Sequence, residues 1–174
     1  MGKVMETVKG QKMKPYYEMR AQSVIADAVM DYALSPDITW GKYFNFDAIQ
    51  IPNSILSQDP TILDISTRHP LMGGVVRLPP NTFYNWHKDT RRGVSINMVL
   101  NPQDGLSHCM FTTDKEVVVG EFTELKYKAN TYYVFNTQEN HIVFNFNSPR
   151  YLLTIEFGED KNELGFTDLV EEIL

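Results

Sequence analysis

The chain has 174 residues, 43% hydrophobic and 22% charged, the balance of one folded globular domain with a sizeable core. A net charge of −6 and a pI near 5.2 argue against a broad phosphate-binding surface and against nucleic acid as the main partner. No apolar run reaches the ~20 residues a membrane helix needs, residues 1–20 carry charges where a signal peptide would be apolar, and the lone cysteine, Cys109, fits a reducing cytoplasm.

Residues 1–14 are polar and lysine-rich and read as a loose or edge segment. A helical pattern is predicted from Pro15 to about Leu34. Pro15 suits a first helical turn, Ile25, Val29 and Tyr32 form an apolar stripe, and Ser35-Pro36-Asp37 stops the run. Residues 38–70 are mixed. They hold Trp40, Tyr43, Phe44 and Phe46, then Pro52 and Pro60, and read as short elements wrapping a core.

After Gly73-Gly74 the pattern turns to strands. Val75–Leu78, Phe83–Asp89, Val94–Leu100, His108–Thr112, Val117–Phe122, Thr131–Phe135, His141–Phe146 and Arg150–Phe157 follow in series. Turn-formers separate them: Pro79-Pro80-Asn81, Asn101-Pro102-Gln103-Asp104-Gly105, Asp114, Gly120, Asn130, Asn136 and Asn147-Ser148-Pro149. So many short strands predict a mainly β sandwich or barrel, with the jelly roll favoured. The tail from about Phe166 to Leu174 is apolar and acidic at helical spacing. The predicted organisation is one domain over 1–174: a helical and mixed segment at 1–70, a jelly-roll core at 72–158 and a terminal helix within 163–174.

His87 and Asp89 lie two apart, a spacing that puts both side chains on one face of a strand. His141 opens a later strand. Two imidazoles and one carboxylate that leave open positions form the ligand set of non-haem Fe(II) oxygenases. A structural metal site closes its sphere with four protein ligands, and three candidates stand here, which favours catalysis.

Nine residues after His141 comes Arg150. If His141 points inward, so do Val143 and Asn145, while Ile142, Phe144 and Phe146 point outward against the N-terminal helices. A four-residue loop at 146–149, with Asn145 opposite Arg150, would turn the guanidinium inward too. That places it roughly 13 Å along the strand from His141 at ~3.3 Å per residue. Arginine suits a buried carboxylate partner because its planar fork binds bidentately and stays charged. Tyr84, Asn97 and Asn145 alternate with apolar residues and are further candidates for touching a bound ligand.

The order His87-x-Asp89, His141, Arg150 resembles the Fe(II)/2-oxoglutarate-dependent dioxygenase superfamily. The stretch His141-Ile-Val-Phe-Asn145-Phe-Asn-Ser-Pro-Arg150 resembles its aspartyl/asparaginyl β-hydroxylase and proline-hydroxylase-like branch. The resemblance covers about residues 72–158. It implies a double-stranded β-helix, Fe(II) held by His87, Asp89 and His141, and 2-oxoglutarate whose distal carboxylate Arg150 grips. It also implies O2 as oxidant, succinate and CO2 as co-products, and hydroxylation of an amino-acid, peptide or protein side chain (Pro, Asp or Asn). Many relatives carry Ser or Thr two positions after the arginine, where this chain has Leu152.

Two other functions compete: the same chemistry on a nucleotide or small metabolite, and a non-catalytic metal-binding jelly-roll module. Ordinary roles are also assigned. His69 and His108 read as surface or packing histidines, and Lys88, Arg91 and Arg92 as a solvated rim. Asp89 with Arg92 could be a structural salt bridge. Tyr132, Tyr133 and Phe135 read as sheet core rather than a base-stacking platform.

Overall fold

The structure is a computed structural model and describes residues 13–103, 105–112 and 121–174. The expectations for residues 1–12, for Asp104, Asp114 and Gly120, and for the start of the strand at 117–122 fall outside the described residues.

The sequence forms β1 (Tyr16–Gln22), α1 (Ala26–Leu34), β2 (Gly41–Lys42), β3 (Asp47–Ile51), α2 (Asn53–Leu56) and α3 (Pro60–Ser66) before the strand-rich region. There follow β4 (Leu71–Leu78), β5 (Thr82–His87), β6 (Val94–Val99), β7 (Ser107–Thr112), β8 (Phe122–Leu125), β9 (Thr131–Asn136), β10 (Asn140–Asn145), β11 (Arg150–Phe157) and α4 (Phe166–Ile173). Asn81 and Asn130 take left-handed backbone (φ 53° and 52°) in the turns that lead into β5 and β9, a conformation asparagine tolerates better than most residues.

Two antiparallel sheets face one another. The larger has seven strands in the order β1-β9-β6-β11-β4-β3-β2, and the smaller has four in the order β5-β10-β7-β8. The outer face of the larger sheet carries Ile49, Val75, Ile96, Met98, Val134, Leu153 and Ile155, packed beneath Ile25 at the N-cap of α1, Val29 of α1, Ile62 and Ile65 of α3, and Leu169 and Val170 of α4. Leu153 and Ile155 are fully buried, and each contributes about 1.5–3 kcal/mol by leaving water. A second cluster of Leu78, Cys109, Phe111, Leu125, Tyr133, Phe135 and Val143 fills one end of the space between the sheets. This is the jelly roll expected, with helices on one side.

A polar knot ties the helical layer down. Asp59 caps α3 by accepting from the backbone N–H groups of Thr61 (3.0 Å) and Ile62 (3.3 Å), with Pro60 opening the helix. Its other oxygen accepts from the Tyr132 hydroxyl (2.8 Å) and the Val24 N–H (3.1 Å), and Ser23 Oγ donates to Tyr132 at 2.9 Å.

Three expectations are corrected. The run from Pro15 is not one helix: residues 16–22 pair with β9, and the helix begins at Ala26. A ready edge on β9 outcompeted local helix propensity, and Pro15 accepts from the Asn136 N–H instead of opening a turn. Next, β10 and β11 do not pair. Asn145 lies opposite Thr82 and Ser107, whereas Arg150 lies opposite Leu78, so the segment 146–149 carries the chain from one sheet to the other. The strand-length estimate between His141 and Arg150 therefore does not apply. Lastly, Phe144 and Phe146 do not meet the helices, which cover the other sheet. Phe144 lies 6.4 Å from Phe83, and Phe146 is 43% exposed beside His108.

Candidate metal centre and cavity

Adjacent strands β5 and β10 bring the two histidines together. His87 is the Cα partner of His141, and their rings lie 4.1 Å apart at 59°. The register then slips: Val143 pairs with Tyr84, so three steps on β5 match two on β10. This bulge keeps both Tyr84 and His87 on the inner face. Uninterrupted alternation from Tyr84 would have sent Trp86 inward and His87 out.

Asp89 reaches the pair differently from the sequence expectation. The strand ends at His87, and Asp89 sits in the following loop. That loop is fastened to the β9–β10 turn: the Asp89 N–H donates to Thr137 O (3.0 Å), and Thr137 Oγ1 donates to Arg92 O (2.6 Å). Gly93 then lets the chain pass under the 161–164 turn. A Cβ there would lie 2.3 Å from Leu164 O.

The outcome is one cluster in which ligand atoms of His87, Asp89 and His141 all lie within 4.8 Å of one another. His87 Nδ1 lies 2.6 Å from Asn85 O, and His141 Nδ1 lies 2.9 Å from Glu139 O. Carbonyl oxygens only accept, so each Nδ1 carries the proton and each Nε2 keeps a lone pair for a metal. Burial, reinforced by the nearby His87, lowers the His141 pKa to about 4, so its ring is neutral at pH 7. Asp89 supplies the anionic ligand, its Oδ1 3.8 Å from His87 Nε2. Its Oδ2 lies 2.7 Å from Arg92, which also reaches Glu156 at 3.0 Å. The salt bridge foreseen for Asp89 and Arg92 is thus present, alongside the cluster. The donor set fits one divalent transition metal with positions to spare.

The cluster opens onto a cavity of about 120 Å³ between the sheets. Tyr84, Asn97 and Arg150 all line it. Tyr84 lies 4.1 Å from the His87 ring, and burial and then Asp89 push its phenol pKa up. Asn97 Oδ1 accepts from Ser95 Oγ at 3.2 Å. Arg150 is 6% exposed, and its Nε has no hydrogen-bond partner among the described residues. Asn145 is placed otherwise. Its Nδ2 donates to Leu78 O (3.1 Å), Pro79 O (2.8 Å) and Ser148 O (2.8 Å), fastening the corner where the chain changes sheets, and it does not line the cavity.

Two groups around the site carried no sequence signal. Gln138 fastens the Asp89 loop, and Tyr127 lines the cavity from a segment between β8 and β9 outside any strand. His69 and His108 lie away from this cavity. His69 is held between Glu159 (2.9 Å) and Glu172 (2.8 Å), and His108 contacts Glu124. Tyr132, Tyr133 and Phe135 are buried in the sheet packing.

No family model matches the sequence, and no curated protein matches it. Solved structures do resemble it. A prolyl-4-hydroxylase from Pseudomonas putida is 18% identical, with TM-score 0.61, over 83% of this chain and 92% of that one. A 2OG-Fe(II) oxygenase family protein from Burkholderia pseudomallei is 12% identical, also with TM-score 0.61, over 87% and 86%. HygX from Streptomyces hygroscopicus, with nickel, 2-oxoglutarate and hygromycin B bound, is 10% identical, with TM-score 0.56, over 83% and 82%. At these identities the likeness is one of fold.

Proposed function

We propose that this protein is an Fe(II)- and 2-oxoglutarate-dependent hydroxylase of an unactivated C–H bond. The observation that carries the reading is one cavity with a neutral-imidazole and carboxylate cluster at one part and a buried guanidinium, Nε unpaired, at another. A diacid that chelates a metal by its 2-oxo-carboxylate end and offers a second carboxylate to an arginine matches both features. The fold neighbours from the 2OG-Fe(II) oxygenase family and with 2-oxoglutarate bound support it. When bound, the iron couples oxidative decarboxylation of 2-oxoglutarate by O2 to hydroxylation of the substrate.

The chain's own residues do the rest. His87, Asp89 and His141 hold the metal, their backbone hydrogen bonds fixing which nitrogens face it. Arg150 anchors and orients the co-substrate, and Tyr84 and Asn97 border it. Phe135, Val143 and Leu152 make the cavity wall apolar and exclude water. A reducing cytoplasm suits both ferrous iron and the free thiol of Cys109.

For the primary substrate we infer an amino-acid or peptidyl side chain (Pro, Asp or Asn). Strands β4, β3 and β2 end the larger sheet on one side. A groove there, lined by Tyr43, Phe46, Ala48, Gln50 and Gly74, meets the cavity at Arg92 and Thr154. HygX with hygromycin B bound supports a second reading, the same chemistry on a small metabolite.

Anaerobic titration of the Fe(II)-loaded protein with 2-oxoglutarate tests the core of the proposal. A weak visible charge-transfer band is expected and should vanish in Asp89→Ala and His141→Ala. Tight zinc binding with no response to 2-oxoglutarate would leave a non-catalytic metal-binding module.

A further inference from the structure

Besides Arg150, a second buried polar group reaches the cavity. Tyr127 places its ring 5.4 Å from the Arg150 guanidinium carbon and edge-on to Tyr133 at 5.2 Å. Its hydroxyl oxygen is buried facing the donors of Asn97 and Arg150, and among the described residues no acceptor takes its proton. Burial pushes its pKa far above neutrality, so the oxygen keeps its proton and can donate. Two neighbouring buried donors without acceptors, Tyr127 Oη and Arg150 Nε, are unfavourable unless an anion binds between them.

Tyr127 is also a wall. Behind it lies a separate depression lined by Val99, Pro102, Ser107, His108 and Glu124, and among the described residues Tyr127 is the one shared between that lining and the cavity's. Leu152, two residues after Arg150, lines the cavity with an apolar side chain and offers no hydroxyl.

We propose that Tyr127 closes the cavity behind Arg150 and donates its hydroxyl to the same distal carboxylate, selecting a five-carbon 2-oxo diacid over longer ones. This rests on the co-substrate reading of Arg150. The donor comes from the segment between β8 and β9 and not from β11, where Leu152 offers none, and the same ring sets the permitted length.

Calorimetric titration of Mn(II)-loaded protein, which binds without turnover, provides the test. Tyr127→Phe keeps the wall and loses the donor: 2-oxoglutarate should bind about 10-fold more weakly, while pyruvate, with no distal carboxylate, should bind as in the wild type. Tyr127→Ala opens the cavity toward the rear depression and should shift preference about 10-fold or more toward 2-oxoadipate. Should the alanine variant fail to fold, the phenylalanine variant alone decides. Wild-type affinity for 2-oxoglutarate in Tyr127→Phe would overturn the Tyr127 assignment and leave Arg150 as anchor. A wild-type protein that binds no 2-oxo diacid would overturn the co-substrate reading and this inference with it.

Discussion

The side-chain amide of Gln138 donates to the main-chain oxygen of Asp89 at 2.9 Å and, from the same nitrogen, to that of Arg92 at 2.7 Å. One amide thus fixes both ends of the loop that presents the carboxylate ligand. Because Gln138 stands in the turn that leads into His141, the loop and the second histidine are braced against each other. Gln138 touches no ligand atom of the cluster and acts as a positioning residue.

Replacing Gln138 with alanine should weaken Fe(II) or Co(II) affinity by about 10–100-fold, the usual range for groups that orient metal ligands. The apo melting temperature should change far less, since one amide at the rim is lost. Metal titration read beside a thermal melt checks this. Unchanged affinity would show that Thr137 alone suffices to hold the loop.

The polar knot beneath α3 gives a stability prediction. Asp59→Ala removes a helix cap, about 1 kcal/mol, and leaves the buried Tyr132 hydroxyl without its acceptor, about 1–3 kcal/mol more. Denaturant unfolding should show a loss of roughly 2–4 kcal/mol. Tyr132→Phe in the Asp59→Ala background should recover part of it, because the orphaned hydroxyl is then gone. Equal stabilities for the single and double variants would rule out that account.

His69 predicts a pH dependence. Burial pulls its pKa down, but the hydrogen bonds it donates to Glu172 and Glu159 outweigh burial, and the net shift is upward from 6.5. Glu172, bonded to Arg68 and His69, shifts downward from 4.5. The raised histidine stabilises fully below its unfolded value near 6.5, and its contribution disappears as pH rises through the higher folded value. The lowered glutamate contributes above 4.5 and loses its share as pH falls through the lower folded value. The tie between the α3–β4 loop and α4 should therefore be strongest from about pH 4.5 to 6.5. The difference in melting temperature between wild type and His69→Gln should peak in that window and shrink by pH 9. A difference that grows toward pH 9 would contradict the ion pairing.

Much of this site was legible from spacing, and the reasons differ by residue. His87 and His141 open or close strands bounded by clear turn-formers, so their meeting needed only adjacent strands. Asp89 was read correctly as a neighbour of His87, but its placement depends on a loop held by Thr137 and Gln138, which no periodicity announces. The bulge at Tyr84–His87 is likewise silent in sequence, although it sets which side chains face the cavity. The turn at 146–149 reads the same whether it joins a hairpin or crosses between sheets, because the turn-formers Asn147-Ser148-Pro149 fit both. Residues 16–22 mix helix- and strand-formers, and the free edge of β9 settled the outcome. Tyr127 stands among Lys126, Lys128 and Asn130, a polar stretch that resembles surface loop.

Arg150 yields the prediction that separates stability from function most sharply. It is a buried cation whose Nε lacks an acceptor among the described residues, held near the apolar ring of Tyr127. Burying a charge without full hydrogen bonding is costly, and such groups can often be replaced by apolar ones of similar shape with no loss of stability. Arg150→Met should therefore melt no lower than the wild type in the absence of ligand. Its affinity for 2-oxoglutarate should fall by at least about 100-fold, since the charge-assisted bidentate contact is gone. Arg150→Lys should keep part of the affinity, because a point charge remains while the planar fork does not. Paired melts with and without 2-oxoglutarate report both effects at once. A methionine variant that unfolds more readily yet binds the diacid normally would show that the guanidinium supports the corner between β10 and β11 and leaves the co-substrate to other residues.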